Sequence, residues 1–151
     1  YAVYVSGTAE FTAESSLIIG AKSGQFTGAT VVLKHCDFLN FAATAYTINS
    51  GATVIPQIVN CVFDGADQTT ISNASALTPA STDIYGNYFC KAASGSVPQQ
   101  SIAVGEAVAL DDNYKPMSGS VLERAGSAVD VGWDYCGTPF RATPSVGALQ
   151  V

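Results

Sequence analysis

Four phenylalanines recur at a nearly constant interval along the first 90 residues of this chain. The four residues at this interval, 27, 25 and 26 positions apart, are Phe11, Phe38, Phe63 and Phe89. A repeat of roughly 20 to 50 residues is the sequence signature of a solenoid, in which each repeat packs only on its neighbours. The spacing therefore predicts about four stacked coils, with one phenylalanine of each coil inside.

The repeat is most explicit between residues 28 and 63. The segment Gly28-Ala29-Thr30-Val31-Val32 leads to Cys36-Asp37-Phe38, and Gly51-Ala52-Thr53-Val54-Ile55 leads to Cys61-Val62-Phe63. β-Branched residues dominate both copies and neither has a helical period, which indicates short strands. Parallel strands stack at about 4.8 Å, so like residues of successive coils lie on one another. We expect an all-β, right-handed parallel β-helix of about four coils, each of about 25 residues, with a C-terminal cap.

Two other architectures share parts of this pattern. Leucine-rich repeats have the same length, but their Leu-x-x-Leu-x-Leu-x-x-Asn pattern is absent from the sequence. A β-sandwich or jelly roll needs antiparallel strands joined by tight hairpin turns, and the turn dipeptide Asp64-Gly65 closes a coil instead. The β-helix is therefore the preferred prediction.

The regular pattern ends near residue 93. Residues 1–93 carry the predicted coils, and residues 94–151 form a loop and a capping segment that we expect to cover the last coil, all within one structural domain. The first five residues, Tyr-Ala-Val-Tyr-Val, resemble the middle of a strand and leave the first coil open. Exposed strand edges promote association. We therefore expect a homo-oligomer or a larger assembly to cover that coil.

The charge balance excludes several partners. The net charge is −6 and the isoelectric point is near 4.4, so nucleic acid and anionic lipid are repelled. No apolar run reaches the roughly 18 residues that a membrane-spanning helix requires. A chain rich in small polar residues and poor in charge fits an extracellular protein or the surface of a cell or virion.

Cysteines are spread along the chain without a metal-binding pattern. They form no Cys-x-x-Cys pair and have only the adjacent His35 nearby, so neither a metal site nor a cofactor is predicted. Buried free thiols and extracellular disulfides both fit the even count. In stacked coils Cys36 lies over Cys61 with parallel Cβ vectors, which favours two free thiols over a strained bridge. The four residues are Cys36, Cys61, Cys90 and Cys136.

The end of the chain resembles the closing segment of a known family. The matching stretches are residues 112–116 (DNYKP), 119–120 (GS), 126–132 (GSAVDVG), 134–141 (DYCGTPFR) and 145–148 (SVGA). Over residues 111–149 their order is similar to the C-terminal closure of secreted, pectate-lyase-like right-handed parallel β-helix proteins, including the choice-of-anchor and polymorphic outer-membrane types. The resemblance implies the coil architecture and says little about activity. The chain departs from the pattern at Ser127, Phe140, Ser145 and Gln150.

The residues of this closing segment have a structural explanation. Arg141 can bind the carboxylate of Asp130 or Asp134 as a bidentate pair. Trp133 and Phe140 are large enough to cover the apolar end of the last coil. We therefore expect these five residues to stabilise the cap rather than to form a site.

The resemblance also implies where an active site would lie, because enzymes of that family use a groove across several coils, with calcium-binding aspartates and a basic residue that removes a proton. Asp37 and Asp64 flank the phenylalanines of neighbouring coils and are weak candidates for a catalytic carboxylate pair. They do not occupy equivalent positions, so solvated surface acids are the preferred interpretation, and His35 is expected to be exposed. All outward-facing candidates are Lys34, His35, Asp37, Asp64, Asp67 and Asp83.

Two functions fit these observations. The first is a non-catalytic structural module, extracellular or part of a surface or fibre, for which polysaccharide is a candidate ligand. The second is the C-terminal part of a polysaccharide lyase or hydrolase whose groove lies in upstream coils. Four coils span only about 20 Å of rod, which is short for an extended glycan groove. The first function is therefore preferred.

Overall fold

The structure is a computed structural model that describes residues 3–20, 24–27, 30–65, 68–98, 101–105 and 108–151. Within these ranges the protein has thirteen β-strands and no helix, which confirms the predicted all-β class. The strands are β1 (Val3–Ser6), β2 (Glu10–Glu14), β3 (Leu17–Ile19), β4 (Gly24–Thr27), β5 (Thr30–Lys34), β6 (Asp37–Leu39), β7 (Tyr46–Ile48), β8 (Gln57–Val59), β9 (Val62–Asp64), β10 (Ile71–Asn73), β11 (Ile84–Tyr85), β12 (Asn87–Phe89) and β13 (Ser101–Val104).

These strands pair in parallel and belong to three sheets. The orders are β1-β4-β7-β10, β2-β5-β8-β11 and β3-β6-β9-β12-β13. Except at β13, each strand pairs with the strand three places along the chain, so three consecutive strands contribute one strand to each sheet. Each such set of three strands is called a passage below. The crossover between two paired strands thus consists of two other strands and their turns, where most parallel sheets use a helix.

Parallel pairing continues beyond residue 93, where the coils were predicted to end. Ser94 forms an isolated parallel bridge with Ser72, and β13 pairs with β12. The parallel sheets therefore include residues on both sides of position 93. Polar residues and Pro98 interrupt the β-branched pattern there, which hides the additional strand in the sequence.

The predicted phenylalanine stack forms in three of its four positions. Phe38 lies opposite Phe63, and Phe63 lies opposite Phe89. The ring centroids are 4.9 Å apart in the first pair, which is stacked, and 5.6 Å apart in the second, which is tilted. Phe11 instead lies in β2 opposite Val31, and Ile18 takes its place in the stack. The expectation for Phe11 is wrong because the first passage has its phenylalanine one strand earlier.

Small polar and thiol side chains stack beside the phenylalanines, as predicted. Cys36 and Cys61 are fully buried, and all four cysteines of the chain are free. Asn87 continues this stack: its side-chain oxygen accepts from the Cys61 N–H at 2.8 Å, and its amide donates to the Ile58 carbonyl at 2.9 Å. The amide therefore satisfies backbone groups that the corner between two strands would otherwise leave unpaired.

One residue in the left-handed region turns the chain between the second and third strands of each passage. The φ angle is 46° at Ser15, 51° at His35, 54° at Asn60 and 66° at Gly86. The flanking strands pair in register, so these four corner residues form one stack. A residue other than glycine in this region costs about 1–2 kcal/mol, so contacts elsewhere must stabilise the corners.

The C-terminal residues 108–151, called the closing segment below, run along the side of the sheets. Leu39, Val62 and Tyr88 on the outer face of the third sheet form a buried cluster with Leu122 and Val146 of the segment. At the other end of its path, the Trp133 carbonyl accepts a hydrogen bond of 2.6 Å from the Ser15 hydroxyl in the first passage. The segment therefore covers outward apolar residues of the third sheet. A cap over the end of the last coil remains a prediction.

The phenylalanine stack makes a quantitative prediction for stability. Phe63 is fully buried between Phe38 and Phe89. We expect Phe63→Ala to lower the free energy of unfolding by about 3–5 kcal/mol, because it removes the ring and leaves a cavity. Urea unfolding measures this loss. The control Val54→Ala, at a position 37% exposed, should lose less than about 1 kcal/mol.

Candidate functional site

Three polar side chains meet the closing segment where it crosses the corner stack. His35 and Asn60 occupy neighbouring corners, and Asp37 begins β6 with its side chain on the outer face. None of the three is more than 1% exposed. Buried polar groups require hydrogen-bond partners, and here the partners come from the closing segment.

The hydrogen bonds of His35 fix its protonation. The Asn60 amide nitrogen lies 3.0 Å from His35 Nε2, and the Gly147 carbonyl lies 3.1 Å from His35 Nδ1. Since the amide NH₂ only donates, Nε2 accepts and Nδ1 carries the proton. The Phe140 ring packs against the imidazole with centroids 4.0 Å apart. Burial lowers the pKa of His35 from 6.5 to about 4, and the hydrogen bond to the Gly147 carbonyl opposes this decrease.

Asn60 binds the closing segment through both its side chain and its backbone. Its amide nitrogen donates to the Ser127 carbonyl at 2.7 Å, and its side-chain oxygen accepts from the Ser127 N–H at 2.9 Å. The backbone carbonyl of Asn60 accepts from the Gly147 N–H at 2.8 Å. This side chain thus acts like one more peptide unit between the corner stack and the segment.

Asp37 lies beside the same turn of the segment. One carboxyl oxygen accepts from the Ala148 N–H at 3.0 Å. A side chain at Gly147, where φ is 100°, would collide with this oxygen, so both the conformation and the close approach require glycine. Burial raises the pKa of Asp37 from 3.8 to about 8, and the Ala148 hydrogen bond opposes this rise. Asp37 is therefore mainly protonated at pH 7.

The two candidates for a carboxylate pair do not share one environment. Asp37 lies opposite Val62, and Asp64 lies opposite Leu39, so the two carboxyls are diagonal neighbours on adjacent strands. Asp64 is half-buried, whereas Asp37 lies beneath the closing segment. The expectation that Asp37 and His35 are solvated is wrong. Both point outward as predicted, but the segment covers them.

The other outward candidates are on the surface or bound locally. Lys34 forms an ion pair of 3.7 Å with Glu14 on the neighbouring strand. The carboxylate of Asp83 accepts from the Ala80 N–H at 2.7 Å and closes a local turn. Asp67 lies outside the described residues. None of these contacts joins the candidates to Asp37.

Asp134 organises a turn of the closing segment. Its carboxylate accepts hydrogen bonds from the N–H groups of Cys136, Thr138 and Gln150 at 2.9, 2.7 and 3.1 Å. The predicted ion pair with Arg141 is replaced by these bonds, and both Arg141 and Asp130 are exposed. The structural role expected for Asp134 is supported, with backbone N–H groups in place of a guanidinium.

Trp133 and Phe140, which were expected to cover the last coil, contact other parts of the protein. Trp133 is 61% exposed and contacts the first passage through its carbonyl. Phe140 packs on His35. The four positions at which the segment departs from the resembled family pattern are contact positions: Ser127 binds Asn60, Phe140 packs on His35, and Gln150 accepts from the Ser145 N–H at 2.9 Å.

Asn73 belongs to the glycosylation sequon Asn73-Ala74-Ser75 but has a structural role. Its amide nitrogen donates to the carbonyls of Leu77 and Ser96, both at 2.9 Å. Its side-chain oxygen accepts from the N–H and the hydroxyl of Ser75. The side chain is 8% exposed, so this amide is committed to the turn that follows β10.

Two recesses lie between the closing segment and the sheets or within the segment itself. The first, of about 240 Å³, is lined by Lys34, Gln57, Val59, Thr82, Tyr85, Ala128, Val129 and Asp130. The second, of about 310 Å³, is lined by Asp111, Asn113, Lys115, Asp134, Cys136, Thr138, Leu149 and Gln150. The first combines one aromatic ring with hydrogen-bond donors and acceptors. Such a lining suits a small polar ligand.

Potential metal ligands and apolar stretches are dispersed among the residues that the structure describes. Those residues contain no group of three or more His, Cys, Asp or Glu side chains placed to hold a metal ion. They also contain no helix with the length and apolar character needed to cross a membrane. No protein-family model matches the chain, and no curated protein or solved structure matches it either.

The contact of His35 and Asn60 with the segment was missed in the sequence. A signal was present, because Ser15, His35, Asn60 and Gly86 recur one residue before the buried stack position. Asparagine and glycine are the residues that adopt the left-handed conformation most readily. Nothing in the spacing, however, indicates that residues 127 and 147 return to this stack.

The two buried titratable groups make the stability depend on pH in a specific way. Between pH 4 and 6.5 the unfolded chain holds a proton on His35 and the folded chain holds one on Asp37, so their effects cancel. Above pH 6.5 only folded Asp37 keeps its proton. We therefore expect these two groups to lower the free energy of unfolding by about 2 kcal/mol as pH rises from 6.5 to 8.

Two variants separate these contributions in urea unfolding across pH. In Asp37→Asn, His35 is the only one of the two groups whose pKa still differs between the folded and the unfolded chain. The free energy of unfolding should therefore rise by about 3 kcal/mol from pH 4 to 6.5 and should no longer decrease above pH 6.5. In His35→Gln only Asp37 remains, and it keeps its proton in the folded chain while the unfolded chain loses it. The free energy of unfolding should therefore fall continuously from about pH 4 to 8. An Asp37→Asn protein that keeps the wild-type decrease above pH 6.5 would contradict the assignment.

Asn60 offers a test, with a matched control, of the clamp, by which we mean the contact of His35, Asp37 and Asn60 with the closing segment. Asn60→Ala removes the side-chain bonds to His35 and Ser127, and we expect it to lower the free energy of unfolding by about 2–4 kcal/mol. Asn40 is also left-handed, with φ of 52°, but it is exposed. Asn40→Ala should lose only about 1 kcal/mol. Equal losses in the two variants would show that the conformation of Asn60, and not its contacts, matters.

Proposed function

We propose that this chain is a right-handed parallel β-helix that serves as a non-catalytic structural module, extracellular or on the surface of a cell, virion or fibre. The stacked phenylalanines and the repeated pairing of each strand with the third strand after it support this architecture. A rod of this kind presents its outer faces and turns to the surroundings while its interior is filled by side chains.

The observation that carries this proposal is the use of the buried polar side chains. His35, Asp37 and Asp134 are buried side chains of types that serve as general acids or bases, and each is bound to backbone groups of the closing segment. A general acid or base must reach the atom from which it takes or to which it gives a proton. His35 and Asp37 instead fasten the segment to the sheets, and Asp134 holds a turn within the segment.

The resemblance to pectate-lyase-like β-helix proteins belongs to the same proposal. The path of the closing segment across the third sheet supports a closing role for the motif of residues 111–149. In this interpretation the segment protects outward apolar residues such as Val62 and Tyr88. It also prevents those residues from forming a contiguous exposed patch.

A glycan-binding role is the second candidate, either in a module or in part of a polysaccharide lyase or hydrolase. The polar recess lined by Lys34, Gln57, Tyr85 and Asp130 favours it, because an aromatic face beside donors and acceptors suits a sugar ring. The recess holds about 240 Å³, enough for a small ligand and less than an extended chain occupies.

Incubation with acidic polysaccharides, followed by the absorbance of unsaturated products, tests the non-catalytic proposal. We expect no turnover by the wild-type protein at pH 5 to 9. Turnover that is abolished by Asp64→Asn, with Asp83→Asn as the matched surface control, would overturn it. Binding of neutral or acidic glycans without turnover, weakened by Tyr85→Ala, would establish the second candidate in its non-catalytic form.

A further inference from the structure

Two hairpins of the closing segment have the same construction. Residues 111–115 and 134–138 each begin with an aspartate, and three positions later each has a left-handed residue, Tyr114 with φ of 63° and Gly137 with φ of 81°. In both hairpins the N–H of the aspartate donates to the carbonyl four positions later, at 2.9 and 2.8 Å. A tight turn that ends in a left-handed residue is a common hairpin connection.

The two aspartates hold the backbones of these hairpins. Asp111 Oδ1 accepts from the N–H groups of Asn113 and Lys115 at 2.8 and 3.0 Å. Asp134 makes the equivalent two bonds within the second hairpin, at 2.9 and 2.7 Å. The first, third and fifth residues of both hairpins line one recess of about 310 Å³. A recess with a fixed backbone costs less ordering when a ligand binds.

The polar side chains along this recess have unused hydrogen-bonding groups. Among the residues that the structure describes, the Asn113 amide, the Lys115 ammonium and the Thr138 hydroxyl have no hydrogen-bond or ion-pair partner. Asp111 uses only one of its two carboxyl oxygens. Donors and acceptors are therefore both available to a ligand in the recess.

The buried side of the recess contains one more donor. Leu149 and Gln150 line it and are only 3% and 4% exposed. The side-chain oxygen of Gln150 accepts from the Ser145 N–H at 2.9 Å, but its amide nitrogen lies 3.5 and 3.4 Å from the carbonyls of Ser145 and Leu149. These contacts are longer than the about 2.7–3.2 Å of an ordinary N–H···O bond. A buried amide donor bound this weakly lacks a good acceptor.

The chemistry of the lining restricts the class of ligand. Two carboxylates and one ammonium, those of Asp111, Asp134 and Lys115, disfavour an anion. A metal ion is disfavoured because the Asp134 carboxylate already accepts from three N–H groups. An apolar ligand would cover polar groups without giving them partners. Hydroxyl groups, which both donate and accept, satisfy this mixture of groups.

We propose that the recess between the two hairpins binds a single uncharged sugar residue, such as the end of a glycan chain. The amides of Asn113 and Gln150 and the ammonium of Lys115 bind its hydroxyl groups, and Leu149 packs against its C–H groups. The volume of about 310 Å³ is at the lower end of the about 300–1,000 Å³ typical of ligand pockets. This site goes beyond the proposed structural role, and the module stands without it.

Methyl glycosides of glucose, galactose and mannose are the probes, and glucuronate is the anionic comparison. Titration of the ¹⁵N-labelled protein with at least one glycoside should shift the amide signals of residues 111–115 and 134–138 and the side-chain NH₂ signal of Gln150. The signals of Gln57 and Tyr85, in the other recess, should not move. Glucuronate should bind at least about threefold more weakly than that glycoside, because the lining is net negative.

Substitutions at the recess provide matched variants. Lys115→Met should weaken glycoside binding by about tenfold, because a hydrogen bond from a charged donor is lost. Asn113→Asp should weaken it by about fivefold, because it removes the NH₂ donor. Lys91→Met, an equal change of charge at an exposed position outside the recess, and Tyr85→Ala should bind as the wild type does. An unchanged Thr138 amide signal before titration shows that the hairpins are intact in each variant.

Several results would overturn the site. They are no shift with any of the three glycosides at tens of millimolar, shifts confined to Gln57 and Tyr85, glucuronate binding equal to that of the glycosides, and equal losses in Lys115→Met and Lys91→Met. None of them affects the structural module, which fails only if polysaccharide turnover is observed. A failure of the sugar site is thereby distinguished from a failure of the proposed function.

Discussion

The left-handed residue between the second and third strands of each passage is the constraint on which the other features depend. It turns the chain within two residues, so the flanking strands of successive passages keep their register. Because the corner points outward, its side chain is available for a second task. At His35 and Asn60 that task is to bind the closing segment, and the bonds formed there stabilise a backbone conformation that is unfavourable by itself.

The clamp contains two titratable groups, His35 and Asp37, and both are neutral when the closing segment is docked. Burial disfavours the charged form of each group, which lowers the pKa of His35 and raises that of Asp37. Between pH 4 and 6.5, docking therefore exchanges a protonated histidine and an ionised aspartate for their neutral forms without net proton uptake. A neutral interface of this kind tolerates mild acid and loses stability in mild base.

The sequence was sufficient to predict the stack of Phe38, Phe63 and Phe89, since a repeat of constant length with β-branched residues requires like residues to lie together. It also indicated free, stacked cysteines and a structural role for Asp134. It could not indicate that residues 127 and 147 return to Asn60, because this contact joins positions far apart in the chain and depends on backbone groups. The exposure predicted for Asp37 and His35 was wrong for the same reason: alternation along a strand gives the direction of a side chain, but not what covers it.

The central claim is that the closing segment rests on the corner stack through a neutral His35. The ¹⁵N chemical shifts of the imidazole, followed by NMR from pH 3 to 8, test it most directly, because His35 is the only histidine in the chain. The structure predicts a neutral ring protonated at Nδ1 at pH 6, with a pKa near 4. A ring that titrates near 6.5 with mixed tautomers would contradict this account and would show that the segment does not cover the corner.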